Sequence, residues 1–295
     1  MGSPEFALPS LRALAGAYEV AGVITQPDRA SGRGRELKPP PVKTLALELG
    51  IPVMQPEKLR APEAMEQLRA WAPDLIIVAA YGQILKPDAL DLPRYGCLNV
   101  HASLLPRWRG AAPIQAAILH GDEETGVTIM KMDAGLDTGA MLAKKSMRLT
   151  PDDTAGSVTD ALSHLGADLL IDTLPRWIAG EIKPEPQDDS LSTYAPMLKK
   201  EEGRLDFTRE AVELERRVRA LNPWPGAFMD FDGAILKIHR AHVEAGNGSA
   251  GQRLVVANQP AIRARGGLLV LDEVQPAGKK SMSGKSFLAG ARNWV

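Results

Sequence analysis

Asn99, His101 and Asp137 are the residues of this chain best suited to chemistry at a carbonyl group. Asn99 and His101 stand two apart in Cys97-Leu98-Asn99-Val100-His101, just ahead of Ser103-Leu104-Leu105-Pro106. Asp137 lies inside Gly135-Leu136-Asp137-Thr138-Gly139. Residues 96–101 are mostly apolar and bounded by Gly96 and the Leu-Leu-Pro turn, the pattern of a buried strand end. Positions i and i+2 of a strand share a face, so Asn99 and His101 point the same way. The glycines around Asp137 mark a loop whose backbone can approach another group closely. An amide, an imidazole and a carboxylate on one surface can move a proton and hold a developing oxyanion. Each residue alone also has a structural reading: the Asn and His as strand-end hydrogen-bonding groups, the Asp as a turn former.

The elements that must position these residues follow from the apolar pattern. Residues 20–25, 74–81 and 96–101 read as buried strands, and 127–132 with 141–147 as a further strand pair. Helical patterns cover 11–18, 42–49, 62–71, 112–120 and 154–178, with Pro113 near the start of its helix. Such alternation predicts an α/β fold, a doubly wound parallel sheet with helices on both faces. Ligands of these sheets sit beyond the carboxyl ends of strands, where Asn99 and His101 fall. A polar, Pro-rich run at 183–190 then reads as a linker. Beyond it, 209–221 reads as a helix, and 234–242, 254–256, 261–263 and 268–273 as short strands with close turns, the pattern of a small β-barrel. The expected organisation is a catalytic domain over 1–180, a linker over 181–199 and a second domain over 200–295.

Composition narrows the function classes. With 35 Lys and Arg against 36 Asp and Glu, the net charge is -1, so any site for a polyanion must be a local patch. The single cysteine, Cys97, excludes an internal disulfide and reads as a buried structural thiol. The other histidines, His120, His164, His239 and His242, show no ligand spacing joined to His101, and no metal is expected. The chain has no apolar run of membrane-spanning length and no basic segment followed by an apolar core at its start. A cytoplasmic protein is the expectation, without membrane or DNA as a partner, and a monomer.

Several stretches together resemble the 10-formyltetrahydrofolate-dependent formyltransferases, and among them the enzymes acting on methionyl-tRNA. The matching phrases are 3–11, 25–43, 78–85, the central 97–142, Leu221-Asn222-Pro223-Trp224-Pro225, and 275–280. Asn-x-His-x-Ser-Leu-Leu-Pro with a downstream Asp is specific to folate-dependent formyl transfer without choosing the acceptor. The resemblance implies 10-formyltetrahydrofolate as co-substrate, initiator methionyl-tRNA as partner, a Rossmann-like catalytic domain and a C-terminal barrel of OB-like type that binds tRNA. It implies that Asn99 polarises the formyl oxygen, that His101 stabilises the oxyanion and shuttles a proton, and that Asp137 orients His101 and accepts the amine proton through water. Which of Asp137 and His101 is the base stays open. Ser103, Leu104, Leu105 and Pro106 are expected to line the folate pocket, with 78–85 as the wall for the pterin ring. Trp108 could stack on a base or pack against the sheet.

The stretch 28–41 is too long and polar for an ordinary strand-to-helix connection. It carries Arg29, Arg33, Arg35 and Lys38, is pliant at Gly32 and Gly34, and returns through three prolines. A basic loop over an active site suits a polyanion whose end must enter it. The resemblance assigns the reading of the tRNA acceptor end to Arg33, with Arg35 and Lys38 beside it. Cations of the C-terminal half, among them Lys199, Lys200, Arg204, Arg217, Arg219, Lys279, Lys280 and Lys285, are candidates for phosphate contacts. The competing readings are a formyltransferase for a small amine, such as a nucleotide-sugar or glycinamide ribonucleotide, and a non-catalytic RNA-binding relative. Family members also carry a short apolar strand ahead of the phrase matching Gly2–Phe6, where this chain has only Met1. The expectation is therefore a sheet without its first strand, a clipped start, and a loss of stability.

Overall fold

The apolar runs of the first half form strands β1 (Val23–Ile24), β2 (Val53–Met54), β3 (Ile76–Val78), β4 (Cys97–His101), β5 (Glu124–Lys131) and β6 (Met141–Arg148). Helices α1 (Leu8–Ala17), α2 (Pro41–Glu48) and α3 (Pro62–Ala70) alternate with the early strands. Each has a proline in its first turn, where the missing N–H removes no helical bond. Helix α4 (Pro113–His120) ends at Gly121 in the left-handed conformation, φ 70°. Helix α5 spans Ala155–Ile178. The computed structural model describes residues 1–31, 36–291 and 293–295. They divide into two compact units. The first comprises Met1–Gly110, Glu124–Met147 and Thr159–Ala195, the second Ala111–Glu123, Arg148–Val158 and Pro196–Val295.

In the first unit, β1 pairs with β2 in parallel, and β3 pairs with β4 in parallel with Ile76 opposite Cys97 and Val78 opposite Asn99. Strand β5 runs antiparallel to β4, and β6 lies beyond it, so the parallel sheet carries an antiparallel edge. Strand β4 is thus flanked on both sides. Leu98 and Val100 are buried on one face, and Gly166 of α5 lies so close to Val100 and Val127 that a Cβ there would collide with Val100. With that face closed by the helix, Asn99 and His101 occupy the other. Cys97 is buried as expected, and burial pushes its thiol pKa up to about 12, which makes it inert as a nucleophile.

The seam between β1 and β3 is closed only at its carboxyl end. Gly2 N donates to Ile24 O at 3.1 Å, Ala79 N donates to Met1 O at 2.9 Å, and the Met1 ammonium donates to Ile77 O at 2.5 Å. Behind Met1 lies a cavity of about 490 Å³ lined by residues 20–24 and 73–77 and by apolar side chains of α1, α3 and α5, including Leu11, Leu14, Leu68 and Leu174. The strands expected over 20–25 and 74–81 are correspondingly short, because a ladder forms only where a neighbour supplies donors and acceptors.

In the second unit, α6 (Ala211–Ala220) packs with α4 and lies against an antiparallel sheet. The strands are β7 (Ala227–Phe231), β8 (Ala234–Glu244), β9 (Arg253–Val256), β10 (Gln259–Ala264) and β11 (Gly267–Pro276), in the order β7-β8-β11-β10-β9. A register shift in β8 between Ile238 and Ala241 bends the strand. Leu214, Val218, Ile262, Leu269 and Trp294 fill the core. The sequence reading missed β7 and the helix Gly284–Gly290, which supplies the core residue Phe287.

The buried Met1 ammonium has its pKa lowered by burial from 8.0 to about 6, against a smaller opposing effect of Cys97. Between pH 6 and 8 the unfolded chain binds more protons at this group, so its contribution to stability rises with pH across that window. Extending the chain ahead of Met1 by about six β-branched apolar residues is expected to fill the cavity and raise the melting temperature at pH 7. The extension should also flatten the pH 6–8 slope relative to the parent chain, His242 and all other groups being common to both. Identical melting curves and slopes would show that the cavity does not accept a strand.

Candidate active site

Strand β4 presents Asn99 half-buried and His101 5% exposed. The loop after Met132 brings Asp137 to them in the left-handed conformation, φ 53°, which Asp tolerates better than most residues. Asn99 Nδ2 donates to Asp137 Oδ1 at 3.3 Å, and Gly110 N donates to Asp137 Oδ2 at 2.9 Å. His101 Nδ1 faces Asp137 Oδ2 at 3.8 Å, while His101 Nε2 is 3.0 Å from Trp108 O. A carbonyl oxygen only accepts, so Nε2 carries a hydrogen. Nδ1 is then the ring nitrogen left facing the carboxylate. The three residues separated in sequence thus form one constellation, with a backbone carbonyl and a backbone N–H completing it.

The turn Ser103–Pro106 divides into buried and accessible parts. Ser103 Oγ donates to Arg107 O at 2.6 Å, and Ser103 O accepts from Thr128 Oγ1 at 2.7 Å. Leu105 packs in a cluster with Met130 and Met141, and its N–H donates to Thr128 Oγ1 at 3.1 Å. Leu104 and Pro106 keep partial exposure. In 78–85, Val78, Ala79, Tyr81 and Leu85 are buried and Ile84 is exposed. Trp108 is buried, with the Arg107 guanidinium over its ring, which disposes of it as a surface stacking platform.

The base of the basic loop is a ribbon, Arg29–Ser31 paired with Glu36–Lys38, Arg29 opposite Lys38. It is anchored at Asp28, which accepts from Lys43 Nζ at 2.7 Å and Gln55 Nε2 at 2.8 Å. These hydrogen bonds hold the Asp28 carboxyl below its ordinary pKa. Lys38 is exposed, whereas Arg33 and Arg35 lie outside the described residues. Of the C-terminal cations, Arg204 pairs with Asp230, Arg217 donates to Glu202 O, and Arg219 donates to Glu215 and to Asp153 O. Lys199, Lys200, Lys279, Lys280 and Lys285 are exposed. Among the described residues, no group of three or more His, Cys, Asp or Glu side chains could hold a metal ion, and no helix is long and apolar enough to cross a membrane.

Residues 7–174 match the formyl transferase family model, and residues 197–292 match the model of the formyl transferase C-terminal domain. The chain belongs to the formyl transferase family. A methionyl-tRNA formyltransferase of Myxococcus xanthus is 52% identical over 98% of this chain and 93% of its own length. The methionyl-tRNA formyltransferase of Geotalea uraniireducens is 51% identical over 98% of this chain and 93% of its own. At the level of fold alone, the chain is similar to an N-formyltransferase from Helicobacter canadensis solved with folinic acid and dTDP-3-aminofucose. Its TM-score is 0.68 at 18% identity, covering 93% of this chain and 97% of that one.

Sequence reasoning missed the backbone partners of this constellation, Trp108 O and Gly110 N, because main-chain groups leave no residue signature. The one available signal was Gly110, whose φ of 115° requires glycine and whose Cβ would strike Ala195 O. Two glycines of the Asp137 loop differ in the same way. A Cβ at Gly139 would collide with the Lys131 carbonyl, part of the backbone, whereas at Gly135 it would meet the Thr138 hydroxyl, a side-chain group that can turn at the cost of its hydrogen bond to Asp133. Gly139→Ala should therefore destabilise by about 1–3 kcal/mol and Gly135→Ala by less. Denaturant unfolding of both variants decides it, and equal losses would contradict the loop geometry.

Proposed function

We propose that this chain transfers the formyl group of 10-formyltetrahydrofolate to the free amino group of initiator methionyl-tRNA, with Asn99, His101 and Asp137 as the catalytic residues. The observation that carries the chemistry is the convergence of an amide, an imidazole and a carboxylate on the face of β4 opposite α5. Acceptor choice rests on relatives at about half identity over nearly the whole chain, which carry the name methionyl-tRNA formyltransferase. Residues 1–180 form the catalytic domain, 181–199 the connection, and 200–295 a tRNA-binding domain. The enzyme acts as a monomer in the cytoplasm, where charged tRNA is made and used.

The neutral amine attacks the formyl carbon, and the formyl oxygen takes up negative charge. An amide carries two hydrogens, so the bond from Asn99 to Asp137 leaves one for that oxygen. His101 stabilises the same charge as its ring takes up a proton. The ammonium proton passes to Asp137 and His101. As its bond to the formyl carbon breaks, N10 takes the proton that Asp137 and His101 received from the ammonium, leaving tetrahydrofolate and the formylated amine. Ser103, Leu104, Leu105 and Pro106 form the folate-side turn. Its buried members fix the backbone, and Leu104 and Pro106 offer apolar surface. Arg33, Arg35 and Lys38 engage the acceptor end of the tRNA, and the exposed C-terminal lysines its phosphates.

His101→Ala and Asp137→Ala should each lower turnover on the order of 100-fold or more, with tRNA binding and folding retained. Single-turnover transfer from 10-formyltetrahydrofolate to methionyl-tRNA at near-parental rate in either variant would sink the assignment. Arg33→Ala should raise KM for tRNA while leaving KM for the folate unchanged. Equal activity of variant and parent at limiting tRNA would reduce the loop to a solvated surface.

A further inference from the structure

The polar, Pro-rich run at 183–190 does not hang free. Met141 and Glu185 exchange backbone hydrogen bonds at 2.8 and 2.9 Å. Gln187 Nε2 donates to Asp137 O and to Gly139 O, both at 2.8 Å, while its Oε1 accepts from Arg109 Nε at 2.9 Å. Arg109 Nη2 reaches on to Asp189 at 2.7 Å. Farther along, Trp108 N donates to Thr193 Oγ1 at 2.8 Å and Arg109 N to Thr193 O at 2.9 Å. Tyr194–Ala195 then pairs in parallel with Arg109–Gly110.

One short segment therefore grips two separate loops. The loop at 106–110 gives Trp108 O to His101 and Gly110 N to Asp137. The loop at 137–141 carries Asp137 itself. Gln187 binds the backbone on either side of Thr138 and, through Arg109, the residue beside both of those groups. Its carboxamide uses both hydrogens on one loop and its oxygen on the other, so it fixes the separation between them. We propose that residues 185–195 are a strap that sets Asp137 against His101 and Asn99, with Gln187 as its positioning residue. This inference rests on the catalytic role of Asp137 proposed above. Gln187 contacts the Asp137 carbonyl, not its carboxylate, so it acts through backbone placement.

Gln187→Leu removes all three hydrogen bonds. Gln187→Glu keeps an acceptor for Arg109 but has no hydrogens for the two carbonyls. Each variant, assayed well below its melting temperature with 10-formyltetrahydrofolate and methionyl-tRNA, should lose about 10- to 100-fold in kcat, the usual cost of a misplaced reacting group. KM for both substrates should stay within about twofold, because the strap touches a catalytic group and not a substrate. Parental kcat in both variants, with or without a fall in melting temperature, would overturn the strap's positioning role and leave it purely structural. A raised KM with unchanged kcat would overturn it in favour of direct substrate contact. Asp137→Asn is the control: if it is inactive while the Gln187 variants are normal, only this inference fails. If Asp137→Asn is itself fully active, the catalytic reading beneath it fails.

Discussion

The hold on the Asp137 carboxylate is the constraint around which the first unit is arranged. This carboxylate is 14% exposed and sits between an amide donor, a backbone N–H and an imidazole. A carboxylate removed from water in this way needs its donors supplied by the protein. Two separate parts of the chain supply them, β4 and the loop at 106–110, and a third loop carries Asp137 itself. Each has its own reason for being where it is. β4 is fixed by ladders on both edges, and the glycine at 166 lets α5 seat against its back. Gly110 and Gly139 allow backbone approaches that a side chain would block.

The incomplete seam lies on the far side of β3 from this site. Strand β4 keeps both neighbours, so the face bearing Asn99 and His101 does not depend on the cavity behind Met1. Stability and site geometry are therefore separable in this fold. The residues around the cavity are mainly apolar and meet each other across empty space, which forfeits dispersion contacts without disturbing hydrogen-bonded groups at the opposite edge.

Charge in the second unit divides in a similar way between internal and outward use. Three arginines near or on α6 hold backbone carbonyls and carboxylates, with Arg219 bound by Glu215 one turn earlier. The exposed lysines are compact charges on flexible stems, each free to follow a phosphate backbone. A chain of net charge -1 can present such a surface because its acidic partners are taken up locally.

Much of this was legible in the residues. The period-2 pattern around Cys97–His101 put Asn99 and His101 on one face, and the alternation of apolar runs set out the α/β unit. Local chemistry also marked the start of α4 at Pro113, since proline in a first turn acts within a few residues. Tertiary structure decided what depends on distant backbone. The strands at 20–25 and 74–81 shortened because pairing requires a neighbour, which no local pattern encodes. The run at 183–190 reads in sequence as a polar, Pro-rich linker, yet its donors and acceptors are engaged by loops 44 to 80 residues earlier in the chain. Asp137 was nameable from sequence. What fixes its carboxylate beside His101 was not, because main-chain groups and a single Gln amide look the same in every sequence until the fold brings them together.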